Sequence, residues 1–389
     1  MKIGIVCYPT FGGSGVVATE LGKGLADKGH QVHFITYSEP ARLDAFHSNI
    51  FYHEVTFQNY ALFQYAPYET ALASRMVDII KFEKLELLHV HYAIPHASAA
   101  YLAQQILKDE GIYIPFITTL HGTDITLVGK DPTYSPVVTF AINHSDGVTT
   151  VSESLKKDTF ANFKITNEIE VIPNFIDFKR FTKKNKEHFR KLLAPNDEKI
   201  LMHISNFRKV KRVEDVVYMF KEVRDKMDCK LLLVGDGPER NHVEAICRSI
   251  GYCDDIRFLG KQEAVEELLA IADLFVLPSE SESFGLAALE AMACEVPVIS
   301  SNTGGIPEIN INGQTGFMSD VGDIHDMAKN ALYILQDDEI LKKFKANALE
   351  QAKKFNIHQI LPMYENYYVK VLEEASAKIN EAHNFSTSI

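Results

Sequence analysis

Residues 7–37 read CYPTFGGSGVVATELGKGLADKGHQVHFITY. The apolar run "KIGIVCY" enters a glycine turn, an amphipathic segment of helical length follows, and "QVHFITY" is a second apolar run. Strand, turn, helix and strand in that order form the unit of a parallel, doubly wound sheet. Gly13, Gly15 and Ala18 fit the GxGxx[GA] spacing that lets a backbone approach a pyrophosphate at a helix N-terminus. The fit to a dinucleotide site fails in two places. Tyr8, Pro9, Thr10 and Phe11 lengthen the loop, and Glu39 comes too late after the second strand to hold a ribose. A nicotinamide-dependent oxidoreductase is therefore disfavoured, and a tight turn without a ligand stays as an alternative. The preferred reading is that Gly13, Ser14 and Gly15 present N–H groups across a cleft to a ligand held mainly by another domain.

The same alternation runs outward through the chain. In the first half the expected strands are "KIGIVCY", "QVHFITY", "LLHVHY", "PFITTL" and "GVTTVS", with helices such as "ETALASRMVDIIKFEK" between them. "IEVIPNFID" then leads into the basic stretch "FKRFTKKNKEHFRK", and the alternation restarts at "KILMHIS", continuing through "KLLLVGDG", "IRFLG", "LFVLPS", "PVISS" and "GFMSD". From about Asp323 the pattern is helical, ending in a polar tail expected to fray. The expectation is an α/β chain of two Rossmann-like domains facing a cleft: residues 1–170, residues 171–365, and a helix with tail over 366–389 that returns to the first domain. Ligands of such sheets bind at the carboxyl ends of the strands, so the chemistry belongs in the loops there.

Composition narrows the function. The 389 residues are 46% hydrophobic, more than one core usually serves, and carry a formal charge of −12, which disfavours a general nucleic-acid or anionic-membrane binder. No apolar stretch approaches the ~20 residues that span a bilayer, and no export signal precedes the first strand. The five cysteines are scattered without CxxC spacing, so neither a disulfide framework nor a zinc site is expected, and a cytoplasmic location is.

The most informative stretch is "PSESESFGLAALEAMACEVPVISSNTGGIPE", residues 278–308. Ser283 to Gly285 are expected to open a helix whose free N–H groups would receive an anion. Glu282 precedes that helix and Glu290 lies in it. Eight residues at helical rise would separate them by about 12 Å, beyond the roughly 5–9.5 Å of a glycosidase carboxylate pair. Two acids reading hydroxyls at opposite ends of one extended ligand fit better, and a nucleotide sugar has that shape; plain solvated acids are the alternative. "HISNFRKVKR", residues 203–212, packs Arg208, Lys209, Lys211 and Arg212 into one loop placed to neutralise a diphosphate. An exposed basic surface is the bland reading of that loop.

Taken together, Glu282-x7-Glu290, "GGSG", "TLHGTD", "LLLVGDGPE" and "SNTGGIPE" resemble the retaining nucleotide-sugar glycosyltransferases of the GT-B fold, glycosyltransferase family 4. The likeness covers nearly the whole chain. Within the family, "CYPTFGGSGVVATELGK", "HVHYAIPHA", "TTLHGTDIT" and "SNFRKVKRVED" resemble members that transfer N-acetylglucosamine from UDP-GlcNAc to L-malate, the first step of bacillithiol biosynthesis. The resemblance implies that Glu282 contacts the transferred sugar, Glu290 the ribose, and the Ser283, Phe284, Gly285 and Leu286 backbone the β-phosphate and sugar. Lys211 matches the family's diphosphate-binding lysine. The usual arginine five residues earlier is Asn206 here; Arg208 is the candidate substitute, which frees Asn206 for the acceptor. Gly260, closing "IRFLG", is counted with the donor set. His121 matches the histidine near the anomeric centre, and Ser14, Tyr92 and Thr119 join it and Asn206 as acceptor contacts.

The mechanism so implied is attack on the face from which UDP departs, with Lys211, Arg208, helix N–H groups and the glycine turn stabilising the leaving diphosphate. No cofactor or metal is called for. His89 and His91 share a strand face, yet no carboxylate or cysteine completes a ligand set with them. The competing functions are a related transferase acting on a lipid or another sugar, with "FKRFTKKNKEHFRK" against a membrane, and a non-catalytic nucleotide-sugar binder. Malate follows from the resemblance alone, and a homo-oligomer is left open.

Overall fold

The computed structural model describes all residues except 44–45, 58–62, 184–185 and 387–389, and it describes no side chains over 379–386. Of the polar tail expected to fray, residues 380–386 continue the last helix and residues 387–389 lie outside the described residues. The chain forms two compact units: Met1–Asn174 with Ile357–Ile389, and Phe175–Asn356.

Unit 1 holds the strands β1 (Lys2–Val6), β2 (Gln31–Thr36), β3 (Ile50–Glu54), β4 (Leu87–His91), β5 (Phe116–Leu120), β6 (Gly147–Thr150) and β7 (Glu170–Val171). Its helices are α1 (Gly13–Asp27), α2 (Tyr68–Glu83), α3 (Ser98–Asp109), α4 (Ser135–His144) and α5 (Glu153–Asn162). The sheet runs β3-β2-β1-β4-β5-β6-β7, and every pairing is parallel. The inner strands β4 and β5 are buried along their whole length, as strands covered by helices on both faces must be. β3 and β7 are additions to the five strands read from the sequence. β3, "IFYHE", is an edge strand with no fully buried residue, so its hydrophobic signal is weak.

Unit 2 holds β8 (Lys199–Ser205), β9 (Cys229–Gly235), β10 (Ile256–Gly260), β11 (Leu274–Leu277), β12 (Val298–Ser301) and β13 (Gly316–Ser319) in the order β10-β9-β8-β11-β12-β13, again parallel. All six coincide with the expected runs. Its helices are α6 (Glu187–Leu193), α7 (Val213–Arg224), α8 (Arg240–Ile250), α9 (Val265–Leu269), α10 (Leu286–Ala293), α11 (Ile306–Ile309), α12 (Ile324–Leu335) and α13 (Asp338–Lys353). Four cations of the basic stretch after the junction are paired inside this unit. Arg180 pairs with Glu266 at 3.1 Å, Lys183 with Glu295 at 3.3 Å, Lys186 with Glu267 at 3.0 Å and Arg190 with Asp273 at 2.7 Å.

The last helix, α14 (Ile357–Ser386), returns to unit 1 and begins nine residues before the expected boundary at 366. Pro362 lies inside the second turn of this helix, where its ring removes the N–H that would otherwise reach the His358 carbonyl. Tyr364 and Tyr368 are fully buried, Tyr367 accepts from the Val148 amide at 2.9 Å, and Glu365 pairs with Lys28 at 2.9 Å. Gly24 of α1 and Gly147 of β6 give it room, since a Cβ would meet Ile357 at 3.0 Å and Val371 at 2.8 Å.

Candidate active site

Each sheet reverses its strand order once, between β1 and β4 in unit 1 and between β8 and β11 in unit 2. Loops leaving the two strands at such a reversal diverge and open the crevice where ligands of these folds bind. In both units a side-chain hydrogen bond joins the two loops, and in both the residues are ones the sequence singled out.

In unit 2 the loop after β8 carries Lys211 and the loop after β11 carries Glu282. The ammonium of Lys211 donates to the Glu282 carboxylate in a short ion pair, and the Ser279 hydroxyl donates to the same oxygen at 2.9 Å. The backbones are joined as well, because the Glu280 amide donates to the Val210 carbonyl at 2.8 Å. From β12, the Ser301 hydroxyl donates to the Ser279 carbonyl and the Gly305 amide to the Glu282 carbonyl at 2.9 Å. Gly304 has φ of +56°, and a Cβ there would overlap the Glu282 carbonyl oxygen. The glycines of "SNTGGIPE" thus seat the backbone of the acidic loop.

The four cations of "RKVKR" separate in three dimensions. Arg212, at φ of +47°, turns its guanidinium to the buried Asp215 at 2.6 Å and is occupied there. Lys211 faces Glu282. Arg208 and Lys209 are exposed, and Arg208 has no ion-pair partner among the described residues. Asn206 is exposed on the same loop, which Phe207, fully buried, anchors to the core. Behind the pair, His203 bridges the Val276 carbonyl and the Ser205 hydroxyl, both at 2.8 Å; burial pushes its imidazole down to about 4.

The helix of the acidic segment begins later than expected. Ser283 and Phe284 lie before it, Gly285 caps it at φ of +92°, and Leu286 is its first residue. Helical rise therefore applies only from Leu286 to Glu290, and the 12 Å reckoning for the two acids does not hold, because Glu282 is in a loop. Glu290 is buried within α10. The Phe284 side chain is a core residue packed edge-on to Phe355 at 5.7 Å, so only its backbone is available to a ligand. Gly260 ends the edge strand β10, two strands away from β8.

In unit 1 the Tyr92 hydroxyl, after β4, donates to the Ser14 hydroxyl, after β1, at 2.8 Å. Gly13 opens α1 as expected. Gly15 serves its own loop, since a Cβ would lie 2.5 Å from the carbonyl oxygens of both Tyr8 and Thr10. The lengthened loop thus folds back over the helix start. His121, after β5, lies against Tyr92 with ring centres 5.4 Å apart and the rings tilted by 47°, and its Nε2 lies 2.8 Å from Nδ1 of His91. Burial pushes His121 down to about 3, with His96 adding to the effect, so the ring is neutral near pH 7. Thr119 points away from this group: its hydroxyl is buried between His89 Nε2 and Thr149 Oγ1, each at 2.6 Å. His89 reaches the Tyr368 hydroxyl of α14 at 2.7 Å.

Asp124, unselected within "TLHGTD", ties the loops after β4 and β5. Its carboxylate accepts from the amides of Ala93 at 3.1 Å, Gly122 at 3.0 Å and His121 at 3.3 Å. Burial raises its carboxyl to about 6 against the opposing pull of those amides. An acid two residues beyond a post-strand glycine was the available signal, read only as part of a motif. Ser279, Gly304 and Gly305 were missed in the same way, because their work is done on backbone atoms that become neighbours only after folding.

Two family models match the chain: "Glycosyltransferase Family 4" over residues 11–180 and "Glycosyl transferases group 1" over residues 184–351. The N-acetyl-alpha-D-glucosaminyl L-malate synthase of Bacillus anthracis is 48% identical over 376 residues, covering 96% of this chain and 98% of that one. Among solved structures, sucrose-phosphate synthase from Thermosynechococcus elongatus superposes with a TM-score of 0.80 at 21% identity, over 96% of this chain and 100% of its own. Anabaena HepE in complex with UDP and glucose superposes with a TM-score of 0.81 at 20% identity, over 95% of this chain and 99% of its own.

Proposed function

We infer the reaction from one premise: this chain belongs to glycosyltransferase family 4, the GT-B enzymes whose two modules its sequence matches in turn. It is a glycosyltransferase. The reaction proposed is transfer of N-acetylglucosamine from UDP-GlcNAc to the hydroxyl of L-malate, with retention at the anomeric carbon, as the first step of bacillithiol biosynthesis. The observation that carries the acceptor is the near-full-length relationship with the malate synthase.

In this reading the bond from C1 to the β-phosphate oxygen breaks, the malate oxygen bonds to C1 on the same face, and the hydroxyl proton passes to the departing phosphate oxygen. Negative charge grows on the diphosphate, so catalysis needs fixed cations and N–H groups more than it needs a base. Lys211 and Arg208 supply the cations, and the backbone from Ser283 to Leu286 supplies N–H groups. The ion pair with Glu282 supports the assignment of Lys211, because it holds the ammonium at the strand reversal before any donor arrives. Glu282 accepts from the sugar hydroxyls and Glu290 from the ribose. Gly13, Ser14, Tyr92 and His121 serve the reacting end, with Asn206 on the acceptor. Thr119 acts from behind, by holding His89. His121, neutral, offers Nδ1 as a hydrogen-bonding group and does not act as a strong base. The scheme asks for no metal.

The proposed setting is the cytoplasm, which suits five cysteines that are all free. No helix among the described residues is long and apolar enough to cross a membrane. The test is UDP release from UDP-GlcNAc with L-malate, D-malate and no acceptor. Release that depends on L-malate is expected. Equal release in all three arms would overturn the acceptor, and binding of UDP-GlcNAc without release in any arm would overturn the catalytic role.

A further inference from the structure

Three side chains at the outer edge of the first sheet meet without any part in the reaction above. His33 on β2 is buried, and its Nδ1 lies 2.9 Å from Nε2 of His53 on the edge strand β3. The two rings stack at 5.2 Å and 14°. Glu83, the last residue of α2, brings a carboxylate to the pair, and one ligand atom from each of the three lies within 4.8 Å of the others. The Glu83 carboxylate has no hydrogen-bond or ion-pair partner among the described residues. We propose that His33, His53 and Glu83 form a binding site for a first-row divalent metal ion of the zinc type.

The geometry carries this assignment in three ways. Two uncharged imidazoles in nitrogen-to-nitrogen contact share a single proton, and an ion put in its place takes a lone pair from each. Metal–nitrogen bonds of about 2.0–2.1 Å require the nitrogens to part by only a few tenths of an ångström from their present spacing. Two histidine nitrogens with one carboxylate oxygen are also a donor set that zinc and its first-row neighbours accept, with water completing a tetrahedron. His53 and Glu83 are half-buried, which leaves solvent a path to that fourth position. The three ligands come from β2, β3 and α2, so the ion cross-links the least buried strand of the sheet to its neighbour and to the helix over it. Exposed edge strands are prone to pair with other chains, and an anchored edge resists this.

The test uses the full chain stripped with a chelator and then titrated with cobalt(II) as a spectroscopic probe and with zinc by equilibrium dialysis. One equivalent is expected to bind, giving the intense visible absorption of tetrahedral cobalt. His53→Ala and Glu83→Gln should each weaken binding by about tenfold or more while leaving UDP release unchanged. Zinc should raise the thermal midpoint of the wild type and not that of His53→Ala. Absence of binding at micromolar metal overturns the proposal, as does binding of equal strength in both variants, which would mark adventitious surface histidines.

Discussion

Lys211 and Arg212 are neighbours in sequence with the same charge, and the fold gives them different work. Lys211 closes on Glu282 where the strand order of unit 2 reverses, and Arg212 closes on the buried Asp215 of its own helix. Lys211→Ala should lower turnover by about a hundredfold or more, the usual loss when one preorganised charge contact is removed, with circular dichroism and thermal midpoint nearly unchanged. Arg212→Ala should do the reverse. It leaves a buried carboxylate without its partner, at a cost of ~2 kcal/mol in stability, and turnover in the folded fraction should fall only a few-fold. Urea denaturation and UDP-release rates on the same two preparations separate these outcomes. Equal loss of turnover in both would show that the loop acts as an undifferentiated basic surface. Charge and spacing alone leave the four cations of the loop equivalent, and only the family resemblance singled out Lys211 and Arg208; in the structure the left-handed backbone at Arg212 turns its side chain away from Lys211's partner and onto Asp215.

At the scale of elements, the site depends on loops seated by other loops. The "GG" of "SNTGGIPE" packs against the Glu282 backbone, and Gly235 and Gly237 of "VGDGPE" pack against the carbonyls of Ser205 and Asn206. These contacts seat Glu282 and the basic loop through backbone atoms. Gly304→Ala should therefore reduce turnover by at least about tenfold, because the added methyl displaces the Glu282 carbonyl and the residue must hold a positive φ. Its secondary structure should survive, and wild-type turnover from this variant would show that the acidic loop is held by other means. The strands themselves were legible because buried parallel strands read as continuous apolar runs. β3 was not, since an edge strand carries half that signal, and the start of α14 was set nine residues late, at 366 instead of 357.

At the scale of the whole molecule, the two units differ in their buried histidines. Unit 1 encloses His89, His91, His96 and His121. Burial lowers all four from the ordinary 6.5, to about 3 for His89 and His121, to about 4 for His96 and well below 6.5 for His91. Their neighbours are Tyr364 and Tyr368 from α14 and Asp124 from the loop after β5. As pH falls below 6.5 the unfolded chain binds protons that the folded unit refuses, so stability is lost. One pH unit below that value the loss is ~1.4 kcal/mol per imidazole, or about 6 kcal/mol for the four. Asp124 works the other way. Its carboxyl, raised to about 6, takes up a proton first in the folded state and returns under about 1 kcal/mol. Among the described residues of unit 2 only His203 is in this condition, so unit 1 should open first at about pH 5.5. Hydrogen exchange read by mass spectrometry at about pH 7.5 and 5.5 would check this, and equal destabilisation of both units would refute it.

The sequence by itself determined the class of fold, the two units and the family, and it singled out the residues of the candidate site, because apolar periodicity and short motifs are local properties that survive being read one residue at a time. Only the tertiary structure decided which cation faces Glu282, that Thr119 stands behind the site, that Asp124 joins two loops, and that His33, His53 and Glu83 meet. Each of those depends on residues far apart in the chain, and on backbone carbonyls and amides that every residue carries alike, so no one-dimensional pattern marks them.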